Sequence, residues 1–115
     1  MSSAKKNSPE TQRTLSIRTV HQIPPLYSNA REKNPIAYVR FYASWSKKSW
    51  YVFEWNGGDR FFGMETEGGT RQRRFGLYSL SDLAALRGPF DMPIVQDYAF
   101  QPTPLNQLRK HFFRS

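Results

Sequence analysis

The chain has 115 residues, a formal net charge of +8 at pH 7 and an aromatic content of 16%, and it contains no cysteine. This length predicts one domain with one core, and the lack of cysteine excludes disulfides, thiolate metal sites and a cysteine nucleophile. No segment approaches the roughly 20 apolar residues of a membrane helix, and no apolar run marks a secretory leader. We therefore expect a cytoplasmic protein without a membrane partner.

Most of the excess positive charge lies at the two ends of the chain. Residues 1–22 contain four basic residues and one acid, and residues 109–115 contain three basic residues and no acid. Polar composition with excess charge is typical of disorder, so we predict a flexible basic tail over residues 1–22 and a single domain over residues 23–115. Weak alternation at the end of the tail favours an edge strand that contains Leu15, Ile17 and Val20.

Four segments of the domain have the composition of β-strands, with many aromatic and β-branched residues. They cover residues 36–43, 50–55, 60–66 and 71–78. Paired glycines within residues 56–59 and 67–70 are typical of tight turns, because glycine readily adopts positive φ. The short links between successive strands indicate an antiparallel meander. A fifth short strand is predicted within residues 94–100.

A first short helix is predicted to follow residue 79. Ser79 and Asp82 have the spacing of an N-cap and the third helical residue, and the apolar residues after Ser79 have helical spacing. Gly88, followed by Pro89, is expected to end this helix in the left-handed conformation.

A second helix is predicted near the C-terminal end. Thr103 and Pro104 suit an N-cap and the first helical position, and one helical face then carries Leu105, Leu108 and Phe112. Together the elements predict an α+β fold. We expect a twisted antiparallel meander sheet of four to five strands, with both short helices covering one face of it.

The sequence contains no recognisable catalytic, metal or cofactor motif. Its two histidines, His21 and His111, lack the convergent ligands that a metal site needs. The glycine pairs lack the lysine and the following helix of a phosphate-binding loop. We therefore expect no catalytic residue, no metal and no cofactor, although the sequence leaves enzymatic activity open. Glu54 and Asp97 are the carboxylates that a hydrolase would use if they lie near one aromatic cleft.

Aromatic residues crowd one region of the sheet and admit two interpretations. The rings can form a stacking platform for the bases of a single strand, or the core of a domain with few aliphatic residues. The composition favours the core. The residues are Trp45, Trp50, Tyr51, Phe53, Trp55, Phe61 and Phe62.

Turn parity predicts a cluster of cations at one end of the meander. Alternate turns of an up-and-down sheet lie at the same end, so the link over residues 44–49 is expected to approach the link over residues 67–70. The predicted nucleic-acid-binding residues, which we call the basic rim, are Lys47, Lys48, Arg71, Arg73 and Arg74. Glu65 and Glu67 partly offset their charge. A solvated rim that only maintains solubility is the alternative.

Several short motifs are informative as a set. They are IPPLY at residues 23–27, WY at 50–51, FFG at 61–63, GLYSLSDL at 76–83, RGP at 87–89, MPI at 92–94 and PTPL at 102–105. Over about residues 23–108 the chain resembles a bacterial family, domain of unknown function 2958. The resemblance implies a small protein of plasmids, phages and integrated mobile elements, and it carries no activity or catalytic residue. The basic tail and the run at residues 71–74 lie outside the family pattern.

Three functions are compatible with these observations. The first is a non-enzymatic accessory protein of a mobile genetic element that binds DNA, RNA or a nucleoprotein complex through the basic rim. The second is a protein-only binding module that antagonises a host defence complex. The third is an unrecognised hydrolase that uses Glu54 or Asp97.

Overall fold

The computed structural model describes residues 15–28 and 32–112, with side chains in these ranges up to residue 108. The strands and α-helices are β1 (Ile36–Ala37), β2 (Val39–Ala43), β3 (Lys48–Trp55), β4 (Arg60–Glu67), β5 (Arg73–Ser79), α1 (Leu80–Ala85), β6 (Ile94–Gln96), β7 (Thr103–Pro104) and α2 (Leu105–Phe112), and a short 3-10 helix, Pro89–Asp91, lies between α1 and β6. The flexibility predicted for residues 1–14 and the packing predicted for the Phe112 side chain lie outside the described part.

The predicted antiparallel sheet is confirmed. In the described residues, five strands form one sheet in the order β5-β4-β3-β2-β6, and every neighbouring pair is antiparallel. The strands β2 to β5 are the predicted meander, whereas β6 returns to pair with the outer edge of β2. The short strands β1 and β7 form a separate antiparallel pair. The fold is α+β.

The α1 helix begins as the sequence predicts. The Ser79 hydroxyl accepts a hydrogen bond of 3.3 Å from the backbone N–H of Asp82. The turn before β4 supplies further acceptors, because Asp59 accepts from the N–H of Leu80 through its carbonyl and from the N–H of Ser81 through its carboxylate, at 2.7 Å and 2.8 Å. Asp59 therefore joins the β3–β4 turn to the first turn of α1.

The predicted left-handed ending at Gly88 is wrong. The α1 helix ends at Ala85, and Gly88 has an extended backbone with φ of −100°. The left-handed residues that follow α1 are Phe90 and Asp91, with φ of 58° and 63°. Gly88 meets a different requirement: a Cβ at this position would overlap the indole ring of Trp45. Glycine is needed here for close approach and not for positive φ.

The start of α2 also differs from the prediction. Thr103 and Pro104 pair with β1 as a short strand, and the helix begins at Leu105. The N–H of Asn106 donates to Oδ1 of Asn34 at 2.9 Å. A residue from the loop before β1 therefore caps this helix.

The core consists of two clusters on opposite faces of the sheet, because successive side chains of a strand point in opposite directions. One cluster contains Leu80 and Leu83 of α1 together with Val39, Phe41, Trp50, Val52 and Phe61. The other contains Leu108 of α2 together with Ala37, Tyr51, Phe53 and Met64. We call these sides the α1 face and the α2 face. The expectation that both helices cover one face is therefore wrong.

The segment that leads into the domain also contacts the core. Leu15 and Ile17 pack against the α1-face cluster, whereas Val20 is exposed. The side chain of Gln96 accepts from the N–H of Arg18 and donates to its carbonyl, at 3.1 Å and 2.6 Å. These two bonds attach the segment beside β6, although residues 15–18 do not form a strand.

Candidate nucleic-acid interface

The two links that contain Lys47 and Arg71 lie together at one end of the sheet, and the other rim cations lie in the strand ends beside them. The carbonyl oxygen of Lys47 accepts a hydrogen bond of 2.8 Å from the N–H of Gly68. Gly69 has φ of 78°, and Nζ of Lys47 lies 4.0 Å from the position that a Cβ of Gly69 would take. The β2–β3 link and the β4–β5 link therefore contact each other, as turn parity predicts.

The strand register divides the rim between the two faces of the sheet. Residues paired across antiparallel strands point to the same face. Arg74 pairs with Glu65, which pairs with Trp50 of the α1-face cluster. Arg74 therefore lies on the α1 face, and its neighbour Arg73, which pairs with Thr66, lies on the α2 face. Sequence reasoning placed these cations at one end without separating them.

Both carboxylates of the rim lie on the α1 face. Glu65 accepts from Nε1 of Trp50 at 3.1 Å, and its other oxygen lies 3.6 Å from Nζ of Lys48. Glu67 pairs with Lys48 in the register. The positive charge of Lys48 and Arg74 is therefore partly compensated on this face.

The α2 face of the rim has a different lining. Three hydroxyl-bearing residues, Tyr42, Ser49 and Thr66, are register partners on neighbouring strands and form a row across the sheet. Arg73 is the next partner in this row, because it pairs with Thr66. Beside this row lies a cavity of about 380 Å³. It is lined by Arg40, Tyr42, Ala43, Ser44, Ser46, Lys47, Lys48 and Ser49. Cations and hydroxyl groups are the side chains that contact phosphate oxygens, so this basic cavity has the chemistry of a phosphate site.

Sequence reasoning missed Arg40, which belongs to this cavity. Its guanidinium donates to Asp97 at 3.0 Å and lies 4.8 Å from the ring centroid of Tyr42. Burial raises the pKa of the neighbouring Tyr51 phenol, while the charge of Arg40 opposes that shift. The alternation along residues 36–43 was a usable signal, because it places Arg40 and Tyr42 on the face opposite Phe41.

Most of the crowded aromatic residues form the core. Trp50, Tyr51, Phe53 and Phe61 are at most 3% exposed, and Trp45, Trp55 and Phe62 are half-buried. This burial supports the core interpretation over the stacking platform. The strongly exposed rings among the described residues are different ones, namely Tyr27, Phe75, Phe90 and Tyr98.

A second cavity, of about 340 Å³, lies on the α2 face and contains Glu54. It is lined by Tyr27, Glu32, Lys33, Pro35, Phe53, Glu54, Phe62, Phe75 and Leu105, and we call it the Glu54 cavity. A bulge between Val52 and Glu54 shifts the register of β3 against β4. The shift brings both Phe53 and Glu54 to this cavity, although simple alternation would point them to opposite faces.

The structure does not bring Glu54 and Asp97 to one described cavity. Asp97 lines a third cavity with residues of the segment before the domain, and its carboxylate pairs with Arg40. Glu54 shares its cavity with Glu32, whose carboxylate accepts from the N–H of Asn34. Within residues 15–28 and 32–108, no three potential ligands cluster as a metal site, and His21 is exposed. None of the described helices is long and apolar enough to cross a membrane.

Comparison with known proteins identifies a family but no characterised relative. No curated protein and no solved structure matches the chain. A family model does match, and it spans residues 11–110, a longer stretch than the resemblance of the motifs covers. The match includes the strands, both helices up to Lys110 and the whole of the basic rim, so residues 71–74 lie within the span of the family, contrary to the expectation from the motifs. Because it covers most of the sequence, the chain belongs to the family described as Protein of unknown function (DUF2958).

Proposed function

We propose that this protein is a non-enzymatic, cytoplasmic accessory protein of a mobile genetic element that binds nucleic acid through the basic rim. The observation that carries the proposal is the hydrogen bond between Lys47 and Gly68, which joins two cationic links into one surface. A nucleoprotein complex that exposes its phosphate backbone is included in the same proposal.

The chemistry of the rim supports contact with phosphates. Lys47, Lys48, Arg71 and Arg74 are exposed, and Arg73 is half-buried at the edge of the same surface. On the α2 face, Lys47 and Arg40 lie beside the hydroxyl groups of Tyr42 and Ser49. Charged groups provide most of the affinity for a phosphate backbone, and hydroxyl groups help to orient it. We therefore expect the phosphates to lie on the α2 face of the rim.

The mobile-element part of the proposal rests on the motif resemblance. The contacts of the core explain several of these motifs structurally, since Leu80 and Leu83 pack in the α1-face cluster and Ser79 caps α1. The rim cations do not contribute to the core clusters. A surface of charges that the fold does not need for packing is suited to a partner.

Salt-dependent binding tests the proposal. Labelled single-stranded and double-stranded oligonucleotides are titrated at several salt concentrations, and the slope of log affinity against log salt gives the number of phosphate contacts. The double variant Arg71→Ala/Arg73→Ala is expected to reduce the magnitude of this slope by about 2, so that binding depends less on salt. A control, Arg18→Ala/Arg60→Ala, removes the same charge from exposed residues outside the rim and leaves the slope nearly unchanged. Absence of binding by the wild-type protein at low salt overturns the proposal.

Protein-only recognition is the second candidate, and one observation favours it. The β5 strand is an edge of the five-stranded sheet, and its Phe75 and Leu77 are 50% and 44% exposed on the α2 face. An edge strand with exposed apolar side chains can pair with a strand of another protein. Capture of a partner that survives nuclease treatment, together with no oligonucleotide binding, supports this candidate over the first.

A further inference from the structure

The β5 strand is the longer of the two edges of the five-stranded sheet. Within the described residues, no strand pairs with its outer side, whereas the opposite edge, β6, is short and has the segment attached by Gln96 beside it. Natural edge strands usually carry charges, proline or a bulge that discourages further pairing. Residues 75–79 of β5 contain no charge and no proline, and β5 pairs with β4 without a bulge. This edge is therefore suited to receive another strand.

The hydrogen bonds of β5 show which of its backbone groups face outward. Leu80, the residue after β5, donates its N–H to the carbonyl oxygen of Asp59, the residue before β4, at 2.7 Å. In an antiparallel pair, residues bonded to the neighbouring strand alternate with residues whose N–H and C=O point away from it. Counting back from Leu80 in steps of two, Gly76 faces β4, whereas Phe75 and Leu77 present their backbone groups at the outer edge.

The same two residues carry the exposed apolar side chains of the strand. Phe75 and Leu77 are 50% and 44% exposed on the α2 face, on either side of Gly76, which is the middle residue of β5. When a second copy pairs antiparallel about Gly76, Phe75 of each copy lies opposite Leu77 of the other. Their outward N–H and C=O groups then bond to each other, and each apolar side chain covers an apolar one. The edge is therefore complementary to itself.

The charges of β5 also favour a second copy in this orientation. Both arginines of the strand, Arg73 and Arg74, lie at its start, so a two-fold axis at Gly76 keeps the arginines of the two copies at opposite ends of the pairing. The other end of the strand carries a negative charge, because the Asp59 carboxylate accepts from the Ser79 hydroxyl at 2.6 Å. In this register Arg73 lies opposite Ser79 of the second copy, and its charge complements that of the adjoining Asp59.

We propose that β5 pairs with β5 of a second copy, antiparallel about Gly76, and so joins two five-stranded sheets into one continuous sheet. One strand from each copy forms most of this interface, and interfaces of small area are weak and transient. We therefore expect dimers at micromolar and higher concentrations. The proposal does not depend on the proposed function, because the pairing needs no nucleic acid. A strand of another protein would compete for the same edge.

Sedimentation velocity in the absence of nucleic acid tests the association. The weight-average mass of the wild-type protein is expected to rise toward twice that of one chain as the concentration increases through the micromolar range. Leu77→Lys places a charge opposite Phe75 of the second copy and is expected to weaken the association roughly tenfold. The matched control is Leu86→Lys, because Leu86 is also 44% exposed but lies outside the sheet. A wild-type protein that stays monomeric, or equal association of the two variants, overturns the proposal.

A disulfide tests the register, because the chain contains no cysteine of its own. Gly76 faces its own copy at a closely spaced position, where Cα atoms about 4.5 Å apart are within the span of a disulfide. Among the described residues, nothing lies within 4 Å of a Cβ at Gly76, so cysteine fits the folded chain.

Arg74→Cys is the control for this variant, because it lies on the same strand and face. In the proposed register the two copies of residue 74 are about 13 Å or more apart, too far for a disulfide. Under mild oxidation at micromolar concentration, Gly76→Cys is expected to form the disulfide-linked dimer and Arg74→Cys to remain monomeric. Equal yields of linked dimer from the two variants overturn the proposed pairing about Gly76.

Discussion

The backbone N–H of Gly68 donates a hydrogen bond of 2.8 Å to the carbonyl oxygen of Lys47, and this contact joins the two links beside which the rim cations lie. It is a backbone contact between loops that are distant in sequence. The rim geometry is therefore a property of the sheet, because any meander with these strand lengths brings the two links together. What the side chains add is charge, and the register decides on which face each charge lies.

The division of the rim predicts different roles for two adjacent arginines. Arg73 has the hydroxyl of Thr66 as its register partner on the α2 face, whereas Arg74 has the carboxylate of Glu65 on the α1 face. Arg73→Ala is expected to lower the salt slope of oligonucleotide binding by about 1, and Arg74→Ala to lower it less. The two variants are matched in charge and lie on one strand. Equal slopes for both would contradict the assignment of phosphates to the α2 face.

The docking of α2 predicts a large loss of stability in one variant. Leu108 is completely buried against Tyr51, Phe53 and Met64. Leu108→Ala is therefore expected to lower the free energy of unfolding by about 2–5 kcal/mol in urea denaturation. Leu86, which is 44% exposed, provides the control. Leu86→Ala is expected to change the free energy of unfolding by no more than about 0.5 kcal/mol. A similarly small change for Leu108→Ala would show that α2 is not docked.

The contact between Asp59 and α1 predicts a dependence of stability on acid. A hydrogen bond from the Ser79 hydroxyl, followed by one from the N–H of Ser81, lowers the pKa of Asp59 from its ordinary value of 3.8. A folded-state pKa below the unfolded value means that the contribution is complete above about pH 4 and is lost as pH falls through the lowered value.

Urea denaturation of wild type and Asp59→Asn at neutral pH and near pH 3 measures this contribution. The variant is expected to be less stable at neutral pH, because asparagine keeps one acceptor but removes the charge that the α1 N-terminus favours. The difference between the two proteins is expected to shrink in acid. A difference that is the same at both pH values would show that the Asp59 carboxylate does not contribute as a charge.

The packing of Gly88 predicts that a single methyl group destabilises the protein. A Cβ at Gly88 would overlap the indole of Trp45, although the backbone φ of −100° suits alanine. Gly88→Ala is expected to lower the free energy of unfolding by about 1–3 kcal/mol, the usual cost of overpacking. Gly76→Ala is the control, since nothing lies within 4 Å of a Cβ there. Equal thermal stability of the two variants would show that the loop simply moves away from Trp45.

Local chemistry accounts for the elements that sequence reasoning identified. The four aromatic and β-branched segments became β1 to β5, because the segment over residues 36–43 is divided between β1 and β2; the glycine pairs became turns, and Ser79 became the N-cap of α1. These features depend on residues close together in the chain, and the meander then follows from the short links. The approach of the two rim links could be predicted for the same reason.

Tertiary contacts decided the features that sequence reasoning missed. Asn34 caps α2 although it lies 72 positions away in the sequence from Asn106, to which it is bonded. Residue 88 must be glycine because the indole ring of Trp45 occupies the space of a Cβ. The bulge in β3 places Glu54 beside Phe53, a position that no alternation in the sequence predicts.

The sequence by itself determined an α+β meander with a core of rings and a cationic end. The tertiary structure alone decided that α1 and α2 lie on opposite faces, and that Arg73 shares the α2 face whereas Arg74 shares the α1 face. The physical reason is that propensity and turn chemistry act over a few residues. The face that a helix covers depends instead on which apolar side of the sheet remains open after the strands have paired.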